Sequence, residues 1–528
     1  MRILLSLSLL LSMVVFGISA QNCNCDYTIT QSGNYNPSNL PVKAGQTICI
    51  QQGLYSDLYF SDFKGENGKP ITIINCGGNV EIQGLNVGIQ FSNCRYFRLT
   101  GSGNSSLLYG FKVSSQASNS MGIKVTDRSS DCEIDHLEIT NVGFAGMMIK
   151  TDPSCDMNNW ENRFTMYNVK IHHNYVHHTG GEGLYVGSSF WNYGQDINCF
   201  GTTINAKPHL IYGLEINHNK IENTGAEGIQ YGCAPDAKVH HNTVTHPGSA
   251  PFAEFQNNGI QVGGGSGGEC YSNIVSEVPG VGIIMIGGIG HQNVYNNLVY
   301  NTGNSGIFSD TRPRSTENTP VRIYNNTVIN TGSESLKIYS LIQNYEVFNN
   351  AFLLSATGRY INAPAGVQFS QEKNFSSNLL DEANFQAPSQ NNYKPRLTSP
   401  LVNQGKDLNY MNLSYDLSDT LRPIGGAFDI GCYEYAGSWL TQENSPIEEL
   451  LPYPNPSSEV AYINLPVGNQ FISLEIFDLS GRKVEEKEIT PVLENLYAID
   501  LKALPASTYI IQLRQVTGTR SISPIFRG

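Results

Sequence analysis

The stretch VKIHHNYVHHTGGEGLYV, residues 169–186, decides the fold. Its apolar residues fall into three short runs separated by two corners. Val169-Lys170-Ile171 leads into an Asn corner at Asn174, Tyr175-Val176 follows, Thr179-Gly180 turns the chain again, and Gly183-Leu184-Tyr185-Val186 completes the unit. Strand alternation sends Leu184 and Val186 inward and Tyr185 outward. No single run is long enough to bury its own apolar face.

The unit repeats. Asparagine returns at the same place in IHHNYV (Asn174), INHNKI (Asn219), VHHNTV (Asn242), CYSNIV (Asn273), VYNNLV (Asn297), IYNNTV (Asn326) and VFNNAF (Asn350), in steps of 45, 23, 31, 24, 29 and 24 residues. The third run recurs as GIKV (122–125), GMMI (146–149), GIQY (228–231), GIQV (259–262), GIIM (282–285) and GIFS (306–309). A period of 23 or 24 residues, lengthened in places by inserted loops, marks a stacked solenoid. Three short parallel strands per coil make it all-β, a right-handed parallel β-helix. The Asn column then reads as a ladder of stacked amides rather than as chemistry.

The chain has 528 residues, a net charge of −13 and only 15% charged residues. That acidity argues against nucleic acid or an anionic membrane as partner. Residues 1–20 (MRILLSLSLLLSMVVFGISA) have the basic start, apolar run and small-residue end of a signal peptide. No other long apolar run follows, so the mature chain is expected to lack a transmembrane segment; a monomer is also expected. Export suits disulfides, and eleven cysteines, an odd number, leave at least one unpaired.

The β-helix reading runs over residues 21–437. Within it, GQTICIQQGLYSDLYFSDFKGENGKPITIINCGG (45–78) resembles the opening of secreted β-helix carbohydrate-active proteins, the polysaccharide lyases and glycoside hydrolases. SPLVNQGKDLN (399–409) and RPIGGAFDIGCYEY (422–435) resemble their closing segment. After a polar linker at 438–450, residues 451–528 contain LPYPNPSSEVAYINLP, FDLSGRKV and LKALPASTYIIQL. These resemble the C-terminal sorting domain of the type IX secretion system of Bacteroidetes. The resemblance implies a small β-sandwich, export through the periplasm, the type IX machinery as partner, and release or attachment at the outer surface.

Insertions at 151–168, 188–211 and 311–320 follow the third strand, and one at 245–257 precedes it. Long loops on one side of a rigid scaffold commonly carry sites. These loops hold Trp160, Trp191, Tyr193 and Phe200, whose rings either stack on sugars or pack the loops down. The outward column of the strand reads Lys124, Met148, Tyr185, Gln230, Gln261, Ile284 and Phe308. The column before the Gly reads Ala145, Glu182, Glu227, Asn258, Val281 and Ser305, and Gly187, Gly232 and Gly263 are expected to leave room for a ligand.

Glu182 and Glu227 are the sharpest pair, because like charges one coil apart resist joint ionisation. They suit retaining glycoside hydrolysis, a Ca²⁺ site for a uronate, or a structural ion pair with Lys150. A lyase instead needs a base, Lys150 or Lys124, and a cation such as Arg312 or Arg314 to hold enolate-like charge. His136, His173, His218 and His241 share a column read as a stack, while His177 and His178 are expected to point oppositely. The reading is therefore a secreted enzyme that cleaves a polysaccharide, by β-elimination or hydrolysis. Catalysis is assigned to Glu182, Glu227 and Lys150, and binding to Lys124, Tyr185, Gln230, Asn258, Gln261, Trp160, Trp191 and Arg312. The rival is a non-catalytic glycan-binding or adhesive surface protein.

Overall fold

The computed structural model describes residues 23–436 without a break, and further on 457, 459–464, 471–478, 482–487, 491–493, 496–515 and 520–527. The expected signal peptide, the 438–450 linker and the Tyr453–Pro456 motif lie outside the described residues. The chain divides into two compact units after Tyr435.

The first unit is a parallel β-helix. Val169–His172 pairs in parallel with Glu215–Asn217, which pairs with Ala237–His240 and so on along the stack. Tyr175–Thr179 pairs with Lys220–Thr224. The third strands form their own sheet of twelve, from Gly33–Tyr35 to Ile361–Asn362. The inward residues, among them Ile171, Val176, Leu184 and Val186, make one continuous apolar core along the axis. Each coil contributes only a few of them, so removing a coil would strip the cover from its neighbours.

The corner chemistry is regular. Asn174 Nδ2 donates to Asn219 Oδ1 at 3.0 Å, and the same 3.0 Å bond runs on through Asn242, Asn273, Asn297, Asn326 and Asn350 to Asn374. Each Oδ1 also accepts a main-chain N–H from the preceding coil, as Asn242 Oδ1 does from Asn219. The residue just before each ladder Asn is left-handed: His173, His218, His241, Ser272, Asn296, Asn325 and Asn349 have φ between 49° and 55°. Asn and His tolerate that region better than most residues, which explains their concentration there.

The third strand begins at a glycine because its Cα faces the core. A Cβ on Gly183 would come within 2.6 Å of the Ile221 side chain and 2.5 Å of the Gly228 carbonyl. Disulfides Cys23–Cys76 and Cys25–Cys49 tie the first coils together, and Cys155–Cys199 joins two insertions. Cys94, Cys132, Cys233, Cys270 and Cys432 are buried thiols.

The segment 399–435 closes the helix as a strap over the Asn corners of the last coils. Leu408 and Phe428 cover a stack of Tyr295, Tyr324 and Phe348. Asn325 Nδ2 donates to the Asp429 and Gly431 carbonyls, and Asn349 Nδ2 to the Lys406 carbonyl.

In the second unit, Val460–Asn464 and Pro491–Leu493 flank Leu496–Asp500 in one antiparallel sheet. Phe471–Asp478 lies between Lys483–Lys487 and Ser507–Gln515, with Arg520–Arg527 outermost, in a second. Ala461, Leu474, Ile476, Ile499, Tyr509 and Ile511 from both sheets share one buried cluster.

Candidate active site

The third strands bring the expected residues into register. Met147–Ile149, Leu184–Val186, Ile229–Tyr231 and Ile260–Val262 pair in sequence, so Met148, Tyr185, Gln230 and Gln261 form one row. Gln261 Nε2 donates to Gln230 Oε1 at 2.8 Å. Lys124 opposes Met148 in the same row, two coils from Tyr185. The same register sets Glu182 against Glu227 on adjacent coils, with Asn258 next. Asn258 Nδ2 lies 3.3 Å from Glu227 Oε1 and also donates to the Phe255 carbonyl at 2.7 Å.

Both carboxyl groups are buried, at 1% exposure for Glu182 and 0% for Glu227. Each takes its own main-chain N–H, and each leaves Oε2 buried without a hydrogen-bond partner. Burial pushes the Glu227 carboxyl up to about 7, and the neighbouring Glu182 charge adds to the push. Burial also raises Glu182, opposed by its own N–H and by the Lys150 cation. The environment thus favours the proton on Glu227 and the charge on Glu182.

Lys150 is not the readily deprotonated base that a lyase needs. Burial alone would lower it, but the Tyr185 hydroxyl and the Asp152 carboxylate outweigh burial and hold it above its ordinary value. Its Nζ lies 2.8 Å from Asp152 Oδ1 and 4.5 Å above the Tyr185 ring. The arginines expected to face developing charge are engaged as well. Arg312 Nη1 pairs with Asp310 at 2.6 Å, and Arg314 reaches both oxygens of Glu161 at 2.7 and 2.8 Å.

The tryptophans knit the loops together. Arg314 stacks on Trp191 at 3.7 Å and donates to its carbonyl. Trp160 Nε1 donates to the Ser154 carbonyl, and the Trp160 backbone bridges to Pro208. With the Cys155–Cys199 bond, the insertions at 151–168, 188–211 and 311–320 become one wall. Trp191 is 5% exposed and so is loop packing rather than a sugar platform, whereas Tyr193 and Phe200 stand exposed.

The expectation of room for a ligand along this strand also needs correction. Tyr185, Gln230 and Asn258 are buried, and the 245–257 insertion is tied down beside Glu227: the Phe255 carbonyl accepts from Asn258 Nδ2, and the Gly248, Ser249 and Ala250 N–H groups donate to the Ala226, Thr224 and Gly225 carbonyls. Phe252 packs on Phe144 at 5.7 Å, and Phe144 meets Tyr185 edge-on at 6.4 Å. The glycines after the strand leave no ligand space: a Cβ on Gly187 would fall 2.0 Å from the Gly232 carbonyl. They are there because neighbouring coils pack backbone to backbone.

His177 and His178 do not point oppositely. His178 is left-handed, with φ 54°, which breaks alternation and brings the two Nδ1 atoms to 2.7 Å. His177 stacks on Tyr175, away from the Glu pair's strand. Sequence reasoning missed Phe144, Asp152, Ser189 (whose Oγ lies 2.9 Å from the Tyr185 hydroxyl) and Glu334, the next member of the Glu182 column after Ser305. The available signals were the Thr-Asp step just past Lys150 and the Ser-Glu-Ser-Leu run at 333–336.

Residues 452–524 match the family model described as a secretion system C-terminal sorting domain. The chain therefore carries a type IX sorting domain and is secreted or held at the outer surface. Among the described residues no helix is long and apolar enough to cross a membrane. Comparison with curated protein sequences finds no match. Solved structures that resemble the chain include pectate lyase Pel9A, at 12% identity and TM-score 0.38, covering 78% of this chain and 97% of that one. The GH136 lacto-N-biosidase of Eubacterium ramulus follows at 11% identity and TM-score 0.41, covering 64% and 63%. A PL6 family polysaccharide lyase of Pseudopedobacter saltans shows 14% identity and TM-score 0.37, covering 66% and 92%. At these values the likeness says nothing about reacting groups.

Proposed function

We propose that this chain, a parallel β-helix delivered by a secretion sorting domain, hydrolyses an extracellular polysaccharide on its third-strand face. Glu227 donates the proton to the leaving glycosidic oxygen as the ionised Glu182 attacks the anomeric carbon, and a water that gives its proton back to Glu227 then hydrolyses the glycosyl ester and frees Glu182. The observation that carries the reading is the stacked pair itself, two buried carboxyl groups with unpartnered oxygens and one of them raised to about 7. A pair whose environments separate its two protonation states is the arrangement acid–base hydrolysis needs. Adjacent strands lie about 4.8 Å apart, near the roughly 5–5.5 Å that retaining hydrolysis asks of its carboxyl groups.

The substrate class rests on the resemblance of the 45–78 and 399–435 segments to carbohydrate-active β-helices. Of the groups that elimination would use, Lys150, Arg312 and Arg314 each already face a carboxylate, which leaves Lys124, two coils from Tyr185, as its remaining candidate base. Calcium is disfavoured by its need for about six to eight oxygen ligands. Beside the two carboxylates, the Asn258 oxygen is taken by the Val281 N–H and the Gln230 oxygen by Gln261. Because both carboxyl groups are buried, substrate reaches them only if a covering segment moves.

The test is incubation of the purified protein with a panel of neutral and uronate-containing polysaccharides, with Ca²⁺ and with chelator. Hydrolysis predicts new reducing ends, no ultraviolet absorbance from unsaturated ends, and no loss with chelator. Unsaturated ends would establish elimination instead, and binding without cleavage would establish the glycan-binding module.

A further inference from the structure

Six of the eleven histidines occur as three His-His pairs, 172–173, 177–178 and 240–241. The three share one plan, although His177 Nδ1 also lies 3.2 Å from Thr140 Oγ1 and His241 Nε2 lies 3.3 Å from Asp419 Oδ1. In each, the second His is left-handed, with φ 54°, 54° and 53°, so both rings turn to the same side of the backbone. The two Nδ1 atoms come to 2.9, 2.7 and 2.8 Å of one another. In each, Nε2 of the first His faces a glutamate of the preceding coil: Glu133 at 3.4 Å, Glu138 at 3.3 Å and Glu215 at 3.4 Å. That glutamate always sits two residues before the one registered with the His, Asp135, Thr140 and Asn217 respectively.

The carboxylate has a chemical consequence. It accepts a hydrogen bond from Nε2–H, so Nδ1 of the first ring is the lone-pair end and the second ring's Nδ1–H donates to it; an ion bound by both nitrogens takes that proton's place, the proton moving to the second ring's Nε2. Histidine ligands of metal ions are commonly set this way, with the other ring nitrogen donating to a carboxylate. The bite also fits. Two nitrogens 2.9 Å apart, each about 2.0–2.1 Å from one ion, subtend about 90°. That is a cis pair of a square or tetragonal site, the geometry of Cu²⁺ and Ni²⁺ with imidazole ligands. Two pairs share the Asn corner, where His173, His218 and His241 stack at 4.9 and 5.0 Å with planes within 4°, which fixes the outer rings. The first rings are 12–19% exposed, so an ion can reach them.

The geometry points to three surface sites for a divalent transition ion, Cu²⁺ ahead of Ni²⁺, each formed by Nδ1 of His172 and His173, of His177 and His178, or of His240 and His241. Glu133, Glu138 and Glu215 are positioning residues that hold the first ring's tautomer. Glu133 also pairs with Arg98 at 2.9 Å and Glu138 faces Lys112 at 3.5 Å, so the His240–His241 site has the least encumbered carboxylate of the three. These sites are independent of the polysaccharide reading.

The test is titration of the untagged full chain with Cu²⁺ at pH 7.5, followed by calorimetry and by electron paramagnetic resonance. Three equivalents with nitrogen coupling from two imidazoles are expected. His173→Asn, His178→Asn and His241→Asn should each remove one equivalent, and the triple variant all three. Asn suits these positions because it already fills the same left-handed place at Asn296, Asn325 and Asn349 in one column and Asn141, Asn223, Asn301 and Asn330 in the other. Glu215→Gln should weaken the His240–His241 site about 10–100-fold with its ligands untouched. Absence of saturable Cu²⁺ binding overturns the assignment. So does binding that survives in the triple variant, or a stoichiometry that does not follow the single substitutions.

Discussion

Glu182 and Glu227 stand one above the other on adjacent coils, each with a buried carboxyl oxygen that no group satisfies. A buried polar atom without a partner costs about 1–3 kcal/mol, and more when charged. A fold under selection for stability alone would place an apolar residue here, as it does at Ala145 and Val281 in the same column. The cost makes sense where a substrate atom completes the set.

Glu227→Gln should lower turnover by the roughly 10²–10⁴ typical of a lost general acid, and Glu182→Gln, which removes the attacking carboxylate, by at least as much. Reducing-end release on whichever polymer the panel identifies measures this. In the parent protein the rate should fall as pH rises through about 7, where Glu227 loses its proton. Glu227→Gln should abolish that limb. Full activity in both variants would remove the reaction from this strand.

The same group sets a pH dependence of stability. Glu227 is raised from 4.5 to about 7 in the folded protein. A raised carboxyl contributes stability that is fully present below the unfolded value and is lost as pH rises through the folded one. The loss across this window is on the order of 3 kcal/mol at about 1.36 kcal/mol per unit. Glu227→Gln has no proton to lose, so its melting temperature relative to the parent should rise between pH 4.5 and pH 8. An unchanged difference across that range would refute the assignment of the raised carboxyl.

The ladder asparagines, the inward Leu184 and Val186 and the register of Glu182 with Glu227 are legible in sequence, because each follows from a repeat of one residue type at one period. What was hidden was decided by residues outside the period. Lys150 reads as a base until Asp152 is seen folding back onto it, and Trp191 reads as a platform until Arg314, 123 residues on, is seen stacked on it. The docking of the 245–257 insertion was hidden for the same reason, since the Phe144–Phe252 contact joins a coil residue to an irregular insertion. His178 defeated strand alternation because a left-handed residue inside a strand reverses the facing, and one sequence carries no clear mark of it.

Position along the Asn ladder should set the penalty for breaking it. Asn242 accepts from the Asn219 N–H and Nδ2 and donates to the Ile216 and His240 carbonyls and to Asn273. Asn242→Ala strands several buried groups at about 1–3 kcal/mol each, so a loss on the order of 3–5 kcal/mol is expected in urea unfolding. Among the described residues Asn374 has no further ladder Asn beyond it, and it is only half-buried. Asn374→Ala should cost markedly less. Equal penalties would mean that the amides contribute separately rather than as a stack.

The strap depends on one buried ion pair. Arg422 and Glu434 are both fully enclosed, with Nε and Oε2 at 2.9 Å. The guanidinium also donates to Asn296 Oδ1 on the helix body and to the Gly431 carbonyl, while Glu434 accepts the Ile424 and Asp429 N–H groups. Removing one partner of such a pair leaves an uncompensated charge and typically costs about 3–5 kcal/mol. Arg422→Met should therefore loosen 399–435 and uncover Tyr295, Tyr324 and Phe348. Hydrogen exchange should quicken across the strap and the last coils while the coils around Glu182 keep their protection. Arg422→Met with Glu434→Leu should recover part of the loss and not all, because the Ile424 and Asp429 N–H groups stay unpaired. Exchange in the strap that is the same in Arg422→Met as in the parent would show that the Leu408 and Phe428 contacts hold it without the ion pair.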